Sequence, residues 1–285
     1  VIPVGRLAPT EQWDQHLLDR LLDNTLYPTG LEFKRFEGYP PGAGAILLIP
    51  GRYWCDNANR ISEALSKYEW VLAIRTGDEE DTLHPDRVYH PNIKWWIQTP
   101  TVGTDYGDAR FVPLGFPTHF DDIEDLDRTV NVFLSAQNTH RRRQECFRAL
   151  KLTYVNNKVV TPTSGFTRGL PPDKYAETMC STKVVPCPSG AYSPESFRVY
   201  EALEAHTIPI ADDISPSYDS AGYWRMLFPD CPFPIISDYI DMDGYVNDQL
   251  NAWPASANRV TAWWMGYKRR LARWLKDDLK ALGAL

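Results

Sequence analysis

The 285-residue sequence lacks most of the features that would assign it quickly. Its five cysteines, Cys55, Cys146, Cys180, Cys187 and Cys231, are odd in number and never fall at Cys-x-x-Cys spacing. That argues against a disulfide framework and against a zinc site, and it favours a reducing, cytosolic setting. No apolar run approaches the roughly 20 residues that a membrane-spanning helix needs, and no signal-peptide pattern is read at the start. Basic charge is in deficit: 30 Lys and Arg against 37 Asp and Glu give a net charge of -7. Non-specific nucleic-acid binding needs a basic face, so it is not the expected main activity, although a local basic patch stays compatible. Three motifs are also missing: a GxxxxGK[ST] phosphate loop, a GxGxxG after a first strand, and a GxSxG nucleophile elbow. Their absence speaks against P-loop nucleotide hydrolysis, dinucleotide binding and an α/β hydrolase.

What is present is an alternation of short apolar runs and amphipathic stretches. A helix is expected over 10–22, opened by Thr10 with Glu11 in its first turn. Buried strands are expected over 45–50 and 70–74 with a helix over 56–68 between them, and shorter strands at 93–98 and 110–113. The acidic stretch 117–129, PTHFDDIEDLDRT, reads as a linker, because like charges resist packing. A second alternation follows, with strands at 130–135, 153–160, 183–186, 208–211 and 234–237. Helices over 139–150, 172–180, 195–205 and 218–227 separate them. Near the end, Trp264, Tyr267, Leu271, Trp274, Leu275 and Leu282 form a helical apolar stripe. The expected organisation is therefore an α/β protein with two Rossmann-like domains, 1–116 and 130–255, joined by the linker 117–129. An amphipathic helix over 256–285 packs back on the body. Open parallel sheets bind ligands beyond the carboxyl ends of their strands, so the strand-end loops are where chemistry is sought.

One such segment stands out, VPCPSGAYSPESFRVYEAL at 185–203. Gly190 frees the backbone after the strand, and Ser193 or Ser196 is placed to cap the following helix. The helix N-terminus and Arg198 together suit an anion such as a phosphate, and Glu201, three residues on, suits a ribose diol. The competing reading is a surface ion pair on an ordinary helix. Arg141, Arg142 and Arg143 open the helix after strand 130–135, where their charge opposes the dipole unless an anion is bound. Arg142 and Arg143 are thus candidates for diphosphate binding, with Ser135 and Gln137 at the strand end beside them. In the first half, Asp78 and Glu79 follow the strand 70–74 and are the candidates for a general base; His84, His90 and His119 are rivals. Tyr53-Trp54 and Trp95-Trp96 sit near strand ends and suit stacking or core. Asp241-Met242-Asp243 reads as a turn or helix cap, and no metal is assigned to it.

The run PCPSG…SPESFRVYEALEAHTIPIADD resembles the donor-binding segment of exostosin-like glycosyltransferases, whose Ser-x-Arg-x-x-Glu-Ala-Leu helix is matched by Ser196, Arg198, Glu201, Ala202 and Leu203. Ile208, Pro209 and Ile210 match the Ile-Pro strand that follows, while His206-Thr207 stands where that family usually has Gly. Residues 130–150 also look like the start of the family's C-terminal domain. The resemblance covers roughly residues 130–240. It implies the GT-B architecture, a nucleotide-sugar donor, a UDP-sugar first, bound by the second domain, no obligatory metal, and an inverting outcome. The acceptor hydroxyl belongs either to a glycan or to a hydroxymethylated base in phage DNA, which implies a cytoplasmic enzyme. A non-catalytic nucleotide- or sugar-binding protein on the same scaffold is the alternative.

Overall fold

The computed structural model describes residues 1–8, 12–77, 90–121, 126–165, 168–217 and 221–285, with the side chains of 12–15, 52, 55 and 56 left aside. Two compact units divide the chain: Val1–Gly115 with Gly266–Leu285, and Phe116–Met265. Each is built on one parallel sheet with helices between its strands, so the protein is mixed α/β and Rossmann-like.

The first unit carries β1 (Ile2–Arg6), α1 (Gln12–Leu22), β2 (Phe33–Glu37), β3 (Gly44–Pro50), α2 (Gly51–Leu65), β4 (Trp70–Thr76), β5 (Ile93–Ile97) and β6 (Arg110–Phe111). Their order is β2-β1-β3-β4-β5-β6, and every pairing is parallel. The central strands β3 and β4 are apolar along nearly their whole length, because a parallel strand covered on both faces has no wet side. One face packs Leu47, Ile49, Trp54, Ile61, Val71, Ala73, Trp95 and Ile97 into a single core.

β1 and β2 are absent from the sequence reading. β1 carries Pro3 and Gly5, which hide its strand character. Gly5 is required there, since a Cβ would meet the Gly38 carbonyl at 2.5 Å. β2, FKRFE, is a charged edge strand whose Arg35 pairs with Asp19 of α1 and with Asp23 just past its end. Charge on an edge protects it from further pairing. α2 begins five residues earlier than expected, directly on the end of β3, and is interrupted by the non-helical Asn57.

The second unit carries β7 (Val130–Gln137), α3 (Arg141–Leu152), β8 (Lys158–Thr163), α4 (Pro172–Cys180), β9 (Thr182–Cys187), α5 (Phe197–Glu204), β10 (Ile208–Asp212), α6 (Tyr223–Leu227), β11 (Ile235–Ile236) and α7 (Met242–Asn251). The strand order is β11-β10-β9-β7-β8. The 117–129 stretch is not simply an extended linker: Thr118–Phe120 form a helical turn and Phe120 is buried. β8 starts at Lys158 rather than 153, because Asn157 adopts a left-handed conformation and the Tyr154 N–H is held by Asp243 at 2.8 Å. The expected helix 218–227 is seen only over Tyr223–Leu227, with 218–220 outside the described residues.

The last helix, α8 (Ala255–Ala281), belongs to the second unit up to Met265 and to the first from Gly266. In the first unit Asp278 anchors it: its carboxylate accepts from Trp96 Nε1 at 2.7 Å and from Arg110 Nε at 2.6 Å. Among the described residues no helix is long and apolar enough to cross a membrane.

Candidate anion-binding site

In the second sheet β7 lies between β8 and β9. The chain leaves β7 to one side to make β8, then crosses back to make β9 on the other side. This reversal opens a crevice beyond the carboxyl ends of β7 and β9, the place where open α/β sheets hold ligands. β7 ends in Ser135, Ala136 and Gln137; β9 runs out into Cys187, Pro188, Ser189 and Gly190. α3 starts four residues after β7, and α5 starts after the β9 loop, so both helix N-termini belong to the loops at this end.

The loop from Gly190 to Ser196 is held from beneath. The Glu195 carboxylate is buried and accepts from the hydroxyls of Tyr200 and Tyr223. The Glu195 N–H donates to Ser193 Oγ at 3.0 Å. Gly190 is needed because a Cβ there would sit 2.3 Å from the Glu195 carbonyl oxygen. Ser196 takes the N-cap position of α5 but its hydroxyl makes no cap bond, so neither expected serine cap forms. Pro194 lies before the helix, which begins at Phe197.

Several groups around the crevice are sealed from water yet lack a hydrogen-bond partner: Ser189 Oγ, Ser196 Oγ and Arg198 Nε. Buried polar atoms are nearly always satisfied, so these three make the strand ends a candidate ligand site. Arg198 donates through Nη2 to the Ser135 carbonyl at 2.8 Å. Burial works against its charge, but Tyr175, Glu201 and Cys187 outweigh that and hold its pKa above the ordinary value. Glu201 is buried, which raises its pKa against the opposing pull of Arg198, and its Oε2 accepts from Tyr175 at 2.6 Å. Arg198 and Glu201 are therefore no surface ion pair.

The arginine triplet separates into three roles. Arg141 points outward, 84% exposed, and pairs with Glu145. Arg142 turns in and forms a two-pronged bond with Asp212 at the end of β10, at 2.9 and 2.5 Å. Arg143 donates to the Ser189 carbonyl at 3.2 Å. His140, just before α3, has its pKa lowered by burial and then by Arg143, so it is neutral at pH 7.

Gly190, Ser193, Ser196, Arg198, Glu201, Arg142, Arg143 and Ser135 are thus all placed at the carboxyl end of the second sheet. Asp78, Glu79 and His84 lie outside the described residues. His119 packs against Tyr175 with its Nε2 sealed and unpartnered. His90 Nδ1 accepts from the Asn92 N–H. Trp54 and Trp95 meet edge to face inside the first unit's core, and Trp96 is fully buried. Asp241 caps α7 by accepting from the Gly244 N–H. Among the described residues no cluster of His, Cys, Asp or Glu suits a metal ion, and Cys146, Cys180, Cys187 and Cys231 are buried and form no disulfide.

Two residues of the site carried no usable signal, Tyr175 and Tyr239, whose hydroxyls donate to Glu201 and to Asp212. Tyr175 sits on α4, edge to face with Phe120 and tilted against Phe133, and nothing in its local pattern marks it. Tyr239 is a lone aromatic in a loop. Asp212 was readable in principle, as an acidic residue at the carboxyl end of a strand. No protein-family model and no curated protein matches the chain.

Proposed function

We propose that this protein is a glycosyltransferase of GT-B type that takes its nucleotide-sugar donor, a UDP-sugar first, at the β7/β9 crevice of the second unit. The observation that carries the reading is the group of unpartnered donors, Ser189 Oγ, Ser196 Oγ and Arg198 Nε, set beside Arg143 and the N-termini of α3 and α5. Oriented N–H groups and guanidinium side chains at helix starts suit a diphosphate. Glu201, fixed by Tyr175 one turn along α5, is the group for the ribose. The resemblance of residues 130–240 to exostosin-like glycosyltransferases supports the same assignment.

In the reaction the acceptor oxygen attacks the anomeric carbon as the bond from that carbon to the diphosphate oxygen breaks. The acceptor proton passes to a carboxylate, Asp78 or Glu79, and the configuration inverts. Arg143, Arg198 and the helix N-termini stabilise the negative charge that grows on the leaving diphosphate. No metal is invoked. The acceptor is a glycan hydroxyl or a hydroxymethylated base in DNA; in the second case binding weakens steeply with added salt.

A thermal-shift screen with UDP, GDP, ADP and CMP tests the reading. A ligand at about 100 times its dissociation constant stabilises the folded protein by about 2.7 kcal/mol. UDP is expected to give the largest shift, and no shift with any nucleotide removes the proposal. Binding of UDP-sugars without hydrolysis or transfer to any hydroxyl acceptor identifies a non-catalytic binding protein instead.

A further inference from the structure

An anion site does not ordinarily carry a carboxylate of its own, yet this one does. Asp212 is fully buried at the end of β10, next to β9 in the sheet. Five groups converge on its two oxygens. Arg142 donates through Nε at 2.9 Å and Nη2 at 2.5 Å; Tyr239 donates its hydroxyl at 2.7 Å. The backbone N–H groups of Ile214 and Ser189 donate at 3.2 and 3.4 Å. Arg142 is held further by the Ser237 carbonyl at 3.0 Å, by Glu145 at 3.3 Å and by the Tyr239 ring, 4.8 Å from the guanidinium carbon. The Asp212 carboxylate is thus bonded directly to Ser189, whose hydroxyl is one of the unpartnered groups and whose carbonyl is bonded by Arg143.

We propose that Asp212 is the internal counter-anion of the phosphate site: it withholds Arg142 from the ligand and so sets how tightly the site grips a phosphate group. The proposal rests on the reading that this crevice takes a phosphate-bearing ligand. Its physical sense lies in turnover. The diphosphate that leaves the reaction must also leave the protein, and release of product limits many enzymes. Three arginines and two helix N-termini facing one diphosphate hold the product as firmly as the transition state, which gains nothing in rate. A carboxylate that neutralises one arginine lowers the positive potential at the crevice without removing the hydrogen-bond donors that orient the ligand. Asp212 acts through Arg142 and Ser189, so it is a positioning residue rather than a catalytic one.

The test is the sign of the change in affinity, measured by calorimetry with pyrophosphate and with UDP on Asp212→Asn, Arg142→Gln and the double variant. Asp212→Asn removes the charge that neutralises Arg142 and keeps a side chain of the same shape, so pyrophosphate binds about tenfold tighter and UDP release slows. Arg142→Gln leaves the carboxylate unneutralised and weakens both ligands by about tenfold, the size of effect expected for a unit charge at short range under partial screening. The double variant removes one charge of each sign and binds pyrophosphate within about threefold of wild type. A purely structural pair predicts weaker binding in all three, and weaker or unchanged binding by a folded Asp212→Asn overturns the proposal. If Asp212→Asn does not fold, the double variant decides: affinity within about threefold of wild type supports the proposal, and a larger loss overturns it. Wild-type protein that binds neither probe refutes the phosphate site itself, and the counter-anion with it. Wild-type binding with the wrong sign in the variants refutes the counter-anion alone.

Discussion

The carboxyl ends of the two sheets differ in one respect that matters. Both leave buried hydroxyls without partners: Thr76 and Thr99 in the first unit, Ser189 and Ser196 in the second. What surrounds them is different. In the first unit Arg75 donates to the Gln98 and Thr99 carbonyls and lies over the Tyr106 ring. Gln98 ties down the Pro113 and Leu114 carbonyls and accepts from the Gly77 N–H. Thr99 holds a left-handed conformation, rare and costly for a β-branched residue, of the kind that collects at functional sites. In the second unit two helices start at the strand ends and bring three arginines between them, Arg142, Arg143 and Arg198. Among the described residues, one scaffold used twice gives an end lined by hydroxyls around a single buried arginine, and an end where three arginines stand with Asp212 and Glu201. The end that carries the three arginines suits a diphosphate.

The comparison is broken most sharply at Arg198. Arg198→Ala is expected to lower turnover of a UDP-sugar by about 100-fold or more, the usual cost of one donor facing a developing anion. Steady-state kinetics with the purified variant measure it, and a loss below about fivefold removes Arg198 from the donor site. Asp278→Ala should do the opposite. It strips the partner from Trp96 and Arg110 and destabilises the first unit by about 2–3 kcal/mol. UDP affinity of the folded fraction is expected to stay unchanged; denaturant melts paired with UDP titrations separate the two effects.

Acid should also weaken the second unit. His119 and His140 have their pKa lowered by burial, below the ordinary 6.5. At pH 7.5 neither the folded nor the unfolded chain protonates them, so they contribute nothing. As pH falls below 6.5 the unfolded chain takes up protons that the folded one refuses, and stability drops until the folded pKa is passed. The melting temperature is therefore expected to fall between pH 7.5 and 5.5, and to fall less in a His119→Gln/His140→Gln double variant. The smallest effect belongs to Thr76→Val. Its hydroxyl has no partner, so losing it should change stability by less than about 1 kcal/mol. If the first unit takes the acceptor there, KM for the acceptor rises while KM for the donor does not.

The sequence showed the second unit better than the first. β7, α3, β9, α5 and β10 follow apolar runs and turn residues closely enough to be read, and they bring the candidate donor-binding residues to the same end of one sheet. β1 and β2 stayed hidden because Pro3, Gly5, Lys34 and Arg35 break the apolar signal that marks a strand. Site chemistry was legible only as residue types. That Arg142 belongs to Asp212 depends on a contact across 70 positions, and the hold of Tyr175 on Glu201 on one across 26. Such pairings are set by the order of strands in the sheet, and a local pattern has no means of recording it.

The most direct test of the central claim is a crystal structure of the protein soaked with UDP. The account predicts the diphosphate beyond the ends of β7 and β9, within hydrogen-bond reach of Ser189 Oγ, Ser196 Oγ and the Arg198 guanidinium. UDP seated at the end of the first sheet, or a β7/β9 crevice still empty at saturating UDP, would contradict it.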